Sequence, residues 1–308
     1  MRRRTTHRAI AWTAEAVVLA WLSAPAAVVP ARAAEAVTVT FAGEIQGSPD
    51  SKGTPDSKGA PDSRITPELK GTLLRPALDG RLPVVVALHG CGGYLKRDGT
   101  LSGLSQDWAD RWVAAGYVVL FPDSFGSRGL GSQCQVAART VVPALRARDA
   151  RAAATWIGGQ PYADPTRIAL VGWSNGGSTV LRAVRTGFKP PPFEFVTAIA
   201  FYPGCRPLLE RGDWRTRIGL TILIGEADDW TPPEPCKALS ALSSGARTVG
   251  YPEAYHGFDA PGVPVRERLG LAFTTRGDGR AHVGTNPAAR AAAIEAVTAQ
   301  LAAAFARR

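Results

Sequence analysis

One serine of this chain sits in surroundings that suit a nucleophile. Gly172-Trp173-Ser174-Asn175-Gly176-Gly177 follows a short apolar run, residues 167–171, of the kind that makes a buried parallel strand. Residues 178–184 after it read as a helix. A Gly-x-Ser-x-Gly between strand and helix is a sharp turn that lifts the hydroxyl above the sheet edge. Its glycines are needed because the turn leaves no room for side chains at the flanking positions. The backbone N–H of Asn175 then points at whatever the serine attacks. A hydroxyl is a weak nucleophile, so it needs a base, and the base needs an acid to orient it. Of the four His, His7 lies in a basic N-terminal segment, His89 in a glycine-rich turn, and His282 in a Gly- and Arg-rich stretch with no strand before it. His256, in Tyr255-His256-Gly257-Phe258, follows the last clear strand, where a base can hang over Ser174. The strand before that one ends in Gly225-Glu226-Ala227-Asp228-Asp229-Trp230. Asp228 is the expected acid, because a loop of a few residues carries it past the sheet edge. Asp229 is the runner-up, and Glu226 reads as a strand-end carboxylate.

These groups need a scaffold that brings distant turns to one edge. Residues 83–88 form the most apolar strand pattern and end in His89-Gly90-Cys91-Gly92-Gly93. A glycine-rich turn at the carboxyl end of a central strand lets backbone N–H groups approach a ligand, and the N–H of Cys91 is the second expected oxyanion donor beside that of Asn175. Further strands are expected at 37–41, 68–76, 117–121, 195–201, 220–224 and 247–251. Helices are expected at 108–115, along 136–157 with Pro143 near its head, and at 286–308. Alternating strands and helices predict an α/β fold with a doubly wound, mostly parallel sheet, whose ligands bind at the carboxyl ends of the strands. Only about one helix fits between 201 and 220, so no cap domain is expected there. Trp173, Trp230, Phe125 and Tyr94 are expected to line the cleft.

The order Ser174, Asp228, His256 is that of α/β-hydrolases. From about Leu69 onward the chain resembles the dienelactone hydrolase family of that superfamily. The resemblance rests on Leu88-His89-Gly90-Cys91-Gly92-Gly93, on the turn around Ser174, on Gly225-Glu226-Ala227-Asp228 with Pro232 soon after, and on Tyr255-His256-Gly257-Phe258. It implies an α/β-hydrolase domain over residues 34–308 and a triad of Ser174, Asp228 and His256. The founding enzymes of the family use a cysteine nucleophile with a helper glutamate, where this chain has serine and His89-Gly90. They also hold a substrate carboxylate with two arginines. Arg128 matches the first, and nothing basic follows His256 where the second would stand. These departures argue against dienelactone itself as the substrate.

The 308 residues are 45% hydrophobic, enough to bury a full core, and carry a formal charge of +10. Residues 1–33 hold five Arg and one Glu, and the remaining arginines are scattered without interleaved aromatics, which argues against nucleic-acid binding. Residues 1–33 read as an export signal: a basic start, an apolar run from Ala9 to Val29 interrupted by Glu15, and Ala31-Arg32-Ala33 as a cleavage site. A periplasmic or secreted protein without a lasting membrane anchor is expected. At about 46–65, two and a half copies of a Pro-Asp-Ser-Lys-Gly-type unit carry nothing to bury, and predict a disordered loop at a hairpin tip. An even count of four Cys in an exported chain suggests disulfides, with Cys91–Cys134 and Cys205–Cys236 preferred among three pairings. No Cys-x-x-Cys spacing points to a metal or redox centre, and no cofactor is expected. The expectation is a serine hydrolase acting on small or medium carboxylic esters. A serine peptidase of the same fold and a non-catalytic binding protein are the alternatives.

Overall fold

The computed structural model of the protein describes Met1, residues 36–44 and residues 68–306. All of these except Met1 lie in the larger of two units, Ala31–Arg308. The expected export signal at 1–33 and the repeat at about 46–65 fall outside the described residues.

Apolar, β-branched runs make the sheet. Its strands are β1 (Val37–Ala42), β2 (Glu68–Leu74), β3 (Leu82–Leu88), β4 (Val118–Asp123), β5 (Ala163–Trp173), β6 (Phe195–Phe201), β7 (Leu220–Gly225) and β8 (Ala246–Tyr251). They form one sheet in the order β1-β2-β4-β3-β5-β6-β7-β8. From β4 to β8 all neighbours pair in parallel, while β1 and β2 form an antiparallel pair at one edge, with β2 also antiparallel to β4. The central strands are buried along their length, as a sheet covered on both faces requires. This is the α/β-hydrolase fold.

Six helices flank the sheet among the described residues: α1 (Gly103–Ala114), α2 (Pro143–Gly158), α3 (Asn175–Ala183), α4 (Arg206–Leu209), α5 (Pro233–Ala241) and α6 (Pro287–Ala306). Their starts follow capping chemistry. Ser102 accepts from Ser105 N and opens α1 several residues before the expected 108, and Asn286 accepts from Ala289 N ahead of Pro287 at the head of α6. The stretch 136–142, expected as helix, is irregular. Pro143 lacks an N–H and restricts the residue before it, so α2 begins at the proline, which suits a first helical turn. Helix α5, hidden behind Pro232, Pro233 and Pro235, begins in the same way. A two-stranded hairpin, β9 (Arg266–Arg268) with β10 (Ala281–Val283), was absent from the expectation, since strands of three residues leave no periodic trace.

Candidate active site

The turn between β5 and α3 holds Ser174 at φ 53 and ψ −114, a backbone conformation that a residue with a Cβ rarely adopts. The close packing of this turn explains its glycines. A Cβ on Gly176 would overlap the carbonyl oxygen of Leu88, and one on Gly172 would lie 2.5 Å from the carbonyl oxygen of Gly176. The strain is held by neighbours on both sides: Ser174 N donates to Phe201 O at 2.9 Å, and Ser178 N to Ser174 O at 2.8 Å.

Three turns at the carboxyl edge meet here. Ser174 Oγ lies 2.9 Å from His256 Nε2, and His256 Nδ1 lies 2.8 Å from Asp228 Oδ2. Asp228 and His256 are both buried. The other carboxylate oxygen of Asp228 accepts from Trp230 N at 2.9 Å and Thr231 N at 2.8 Å, so the acid cannot rotate freely. Thr231 Oγ1 joins the group, 3.0 Å from Asp228 Oδ2, 3.1 Å from His256 Nδ1 and 3.0 Å from Tyr202 O. The imidazole packs against Tyr202 and Trp230, both rings tilted to it, with centroids 4.5 and 4.6 Å away. Next to this pair of rings, fully buried Asp259 accepts from Tyr202 OH, Trp108 Nε1 and Trp173 Nε1 at 2.8, 2.9 and 2.8 Å. Burial pushes its carboxyl above the ordinary aspartate value, and pushes the Tyr202 phenol well above its own.

The structure separates the three candidate acids. Asp229 accepts from His282 N and bonds His282 Nδ1, both at 2.8 Å, and so holds the β9–β10 hairpin. That hairpin in turn flanks the base, with Gly284 N donating to His256 O at 3.1 Å. Glu226 pairs with Lys237 of α5.

Ser174 opens into a cleft of about 500 Å³, and Cys91 and Asn175 line it too. His89 lies beneath the Cys91 turn, its Nδ1 donating to Gly90 O at 2.8 Å; burial holds its pKa well below the usual histidine value, so the ring is neutral. The two disulfides are Cys91–Cys134 and Cys205–Cys236, the pairings preferred from the sequence. Of the residues expected at the substrate, Trp230 lines the cleft, with its indole N–H donating to Ala272 O at 3.0 Å. The others require correction. Arg128 makes a two-pronged bond to buried Asp149 at 2.8 and 2.9 Å and donates to Ser124 O at 2.7 Å, so its fork is filled by the protein. Trp173, last residue of β5, is buried on Asp259. Tyr94 is buried, stacked on Phe121 and His89, with its hydroxyl 3.2 Å from Thr72 Oγ1 and its pKa pushed up to about 12 by burial. Phe125 packs edge-on against His89. The rim contains instead Val142, Arg139 and Phe273. Phe273 is 62% exposed at φ 63, with the Arg139 guanidinium 4.6 Å from its ring centre. Among the described residues no cluster of His, Cys, Asp and Glu suits a metal ion.

Residues 104–202 match the model of the prolyl oligopeptidase family, a span that includes Ser174 but stops before Asp228 and His256. A probable dipeptidyl-aminopeptidase B of Metarhizium robertsii is 41% identical over 69 residues, 22% of this chain. The chain thus spans only 8% of the length of that relative. Among solved structures, a dienelactone hydrolase-like promiscuous phosphotriesterase from metagenomic libraries superposes with a TM-score of 0.55 at 18% identity, over 88% of this chain and 99% of the other. Esterase 2 of Thermogutta terrifontis gives a TM-score of 0.54 at 18% identity, over 80% and 93% of the two chains. At such identities the likeness establishes the fold.

Proposed function

We propose that this chain, a serine hydrolase of the α/β-hydrolase fold, cleaves small or medium carboxylic esters through an acyl-enzyme on Ser174. The Ser174 oxygen adds to the ester carbonyl while His256 Nε2, 2.9 Å away, takes its proton. Asp228 holds Nδ1–H and offsets the charge of the imidazolium. The backbone N–H groups of Cys91 and Asn175 receive the oxyanion. His256 then protonates the leaving alcohol, and water repeats the sequence to free the acid.

The observation that carries the ester reading is the wall of the cleft. Pro143, Pro207, Pro232 and Pro235 line it, with Trp230 and Phe273. A bound peptide needs donors for its carbonyls on both sides of the scissile bond; these four prolines give no backbone N–H, which leaves that task to side chains such as Arg139, Arg206 and Thr275. An ester asks less of such a wall. The two disulfides support an oxidising compartment, and no helix among the described residues is long and apolar enough to cross a membrane.

The family match over residues 104–202 supports a second reading, a peptidase. The test is hydrolysis by the purified protein of p-nitrophenyl esters of increasing acyl length beside a panel of blocked and unblocked peptide anilides. Fluorophosphonate labelling of Ser174 serves as the check on an intact site. Ester turnover that peaks at short or medium chains is the expected result. Peptide turnover exceeding ester turnover would replace the proposal with the second reading, and an unlabelled Ser174 would remove both.

A further inference from the structure

We infer that Arg146 is a positioning residue of the oxyanion hole, clamping together the two backbone turns whose N–H groups receive the oxyanion. The inference rests on the serine hydrolase reading of Ser174. Arg146 lies on α2, outside every motif considered above, and its side chain is completely buried. Its two terminal nitrogens reach two different turns. One donates to Asn175 Oδ1, on the residue whose backbone N–H is one donor; the other donates to His89 O at 2.8 Å, two residues before Cys91, which supplies the second. These turns follow β5 and β3, adjacent strands that pair Leu88 with Gly172, so the sheet brings the turns close without fixing their tips. A planar fork with fixed angles fixes them, which a lone ammonium cannot do.

The surroundings hold the fork in place. Its guanidinium carbon sits 4.9 Å from the centre of the Phe125 ring. Burial lowers its pKa to about 9, while the charges of Asp149 and Asp123 pull the other way, so it stays cationic at neutral pH. Asp149, buried one turn further along α2, is itself gripped by Arg128. Arg128, Asp149 and Arg146 thus form a charge-alternating row that ends at the oxyanion turns. A guanidinium kept only for stability needs acceptors, but has no reason to divide its donors between the two segments that bear the oxyanion N–H groups.

The test compares wild type, Arg146→Lys, Asn175→Ala and the double variant. The second variant removes one tether while keeping the backbone N–H, and retains a sound fold if Arg146→Lys does not. Steady-state kinetics are run on the best ester, together with inhibition by an alkyl trifluoromethyl ketone of matching length. Ser174 Oγ adds to that ketone and His256 takes the proton, leaving a tetrahedral oxyanion in the hole. Losing the alignment of a donor is expected to lower kcat about 100-fold in Arg146→Lys with KM within about threefold, and the inhibition constant should rise in step with the loss in kcat/KM. Asn175→Ala should lose about tenfold by the same two measures, and less than additively on top of Arg146→Lys. A lowered melting temperature with unchanged kcat and inhibition constant per folded molecule overturns the positioning role, as does Asn175→Ala with wild-type values. Wild type that fluorophosphonate fails to label overturns the underlying reading as well, so the two failures are told apart.

Discussion

Replacing Asp228 by Asn is the sharpest perturbation of the site, because the structure fixes how the new amide must sit. Asp228 Oδ1 accepts from two backbone donors, Trp230 N and Thr231 N, at 2.9 and 2.8 Å. An Asn there has to keep its oxygen on those donors, since turning it would set two N–H groups against its own NH₂. The NH₂ therefore faces His256 Nδ1, where Oδ2 stood at 2.8 Å. Nδ1 must then accept, the proton moves to Nε2, and Nε2 can no longer take the proton of Ser174. The imidazole keeps its packing against Tyr202 and Trp230, so the loss comes from the tautomer with the geometry intact. Turnover should fall by about 10⁴, or roughly 5 kcal/mol of barrier, the loss expected when a Ser-His-Asp triad is held in the wrong tautomer. Asp229→Asn is the control one residue away. It loosens the His282 anchor of the β9–β10 hairpin, and should cost about tenfold or less. The assay is kcat on one ester for both variants, with circular dichroism to confirm folding. Comparable losses in the two, or an Asp228→Asn loss below about tenfold, would refute the reasoning.

Three further outcomes are expected. Ser174→Ala should abolish ester turnover, and Ser174→Gly should melt at a higher temperature than Ser174→Ala, since at φ 53 and ψ −114 a Cβ costs about 1 kcal/mol that glycine avoids; equal melting temperatures would show that the turn is unstrained. Thr231→Val should lower kcat roughly tenfold by removing one hydrogen bond on the Asp228–His256 pair, with little change in KM, and an unchanged kcat would leave Thr231 a spectator. Arg128→Ala should lower stability by about 3 kcal/mol, because Asp149 keeps a buried charge without its two-pronged partner, while KM for a carboxylate-bearing ester and its neutral analogue should move alike; a selective rise for the anionic ester would restore Arg128 to the substrate.

How far the site could be read from the chain depended on the range of the forces involved. Ser174 is legible because strand, glycines and helix adjoin it in sequence, and local sterics then dictate the strained turn. Asp228 is legible because it follows closely on the apolar run of β7, and His256 because it is the one histidine placed just after the last strand expected in the sheet. Arg128 misleads because a charge in a loop does not reveal whether its partner is a substrate or, as here, a carboxylate 21 residues away on another element. Trp173 misleads in a different way. It adjoins Ser174, but it is the last residue of β5 and its indole is directed to Asp259 in the interior, while the turn carries Ser174 out of the strand. Arg146 left no trace at all: α2 is rich in Ala and Arg, and only packing picks out the one arginine that turns inward.

Together these contacts account for an edge made of loops that nonetheless holds a fixed geometry. Loops at the end of a sheet are ordinarily its least protected part. Here each turn that bears a reacting group is tied to something rigid. Cys91 is bonded to Cys134, whose carbonyl accepts from Ala272 N, and Ala272 O in turn receives the Trp230 indole beside the base. Cys205, after β6, is bonded to Cys236 of α5, which secures the proline-bearing wall. Asp259 gathers donors from α1, β5 and the Tyr202 turn beneath the imidazole. Because these ties exist before any substrate arrives, orienting the serine and the base costs little at the moment of reaction.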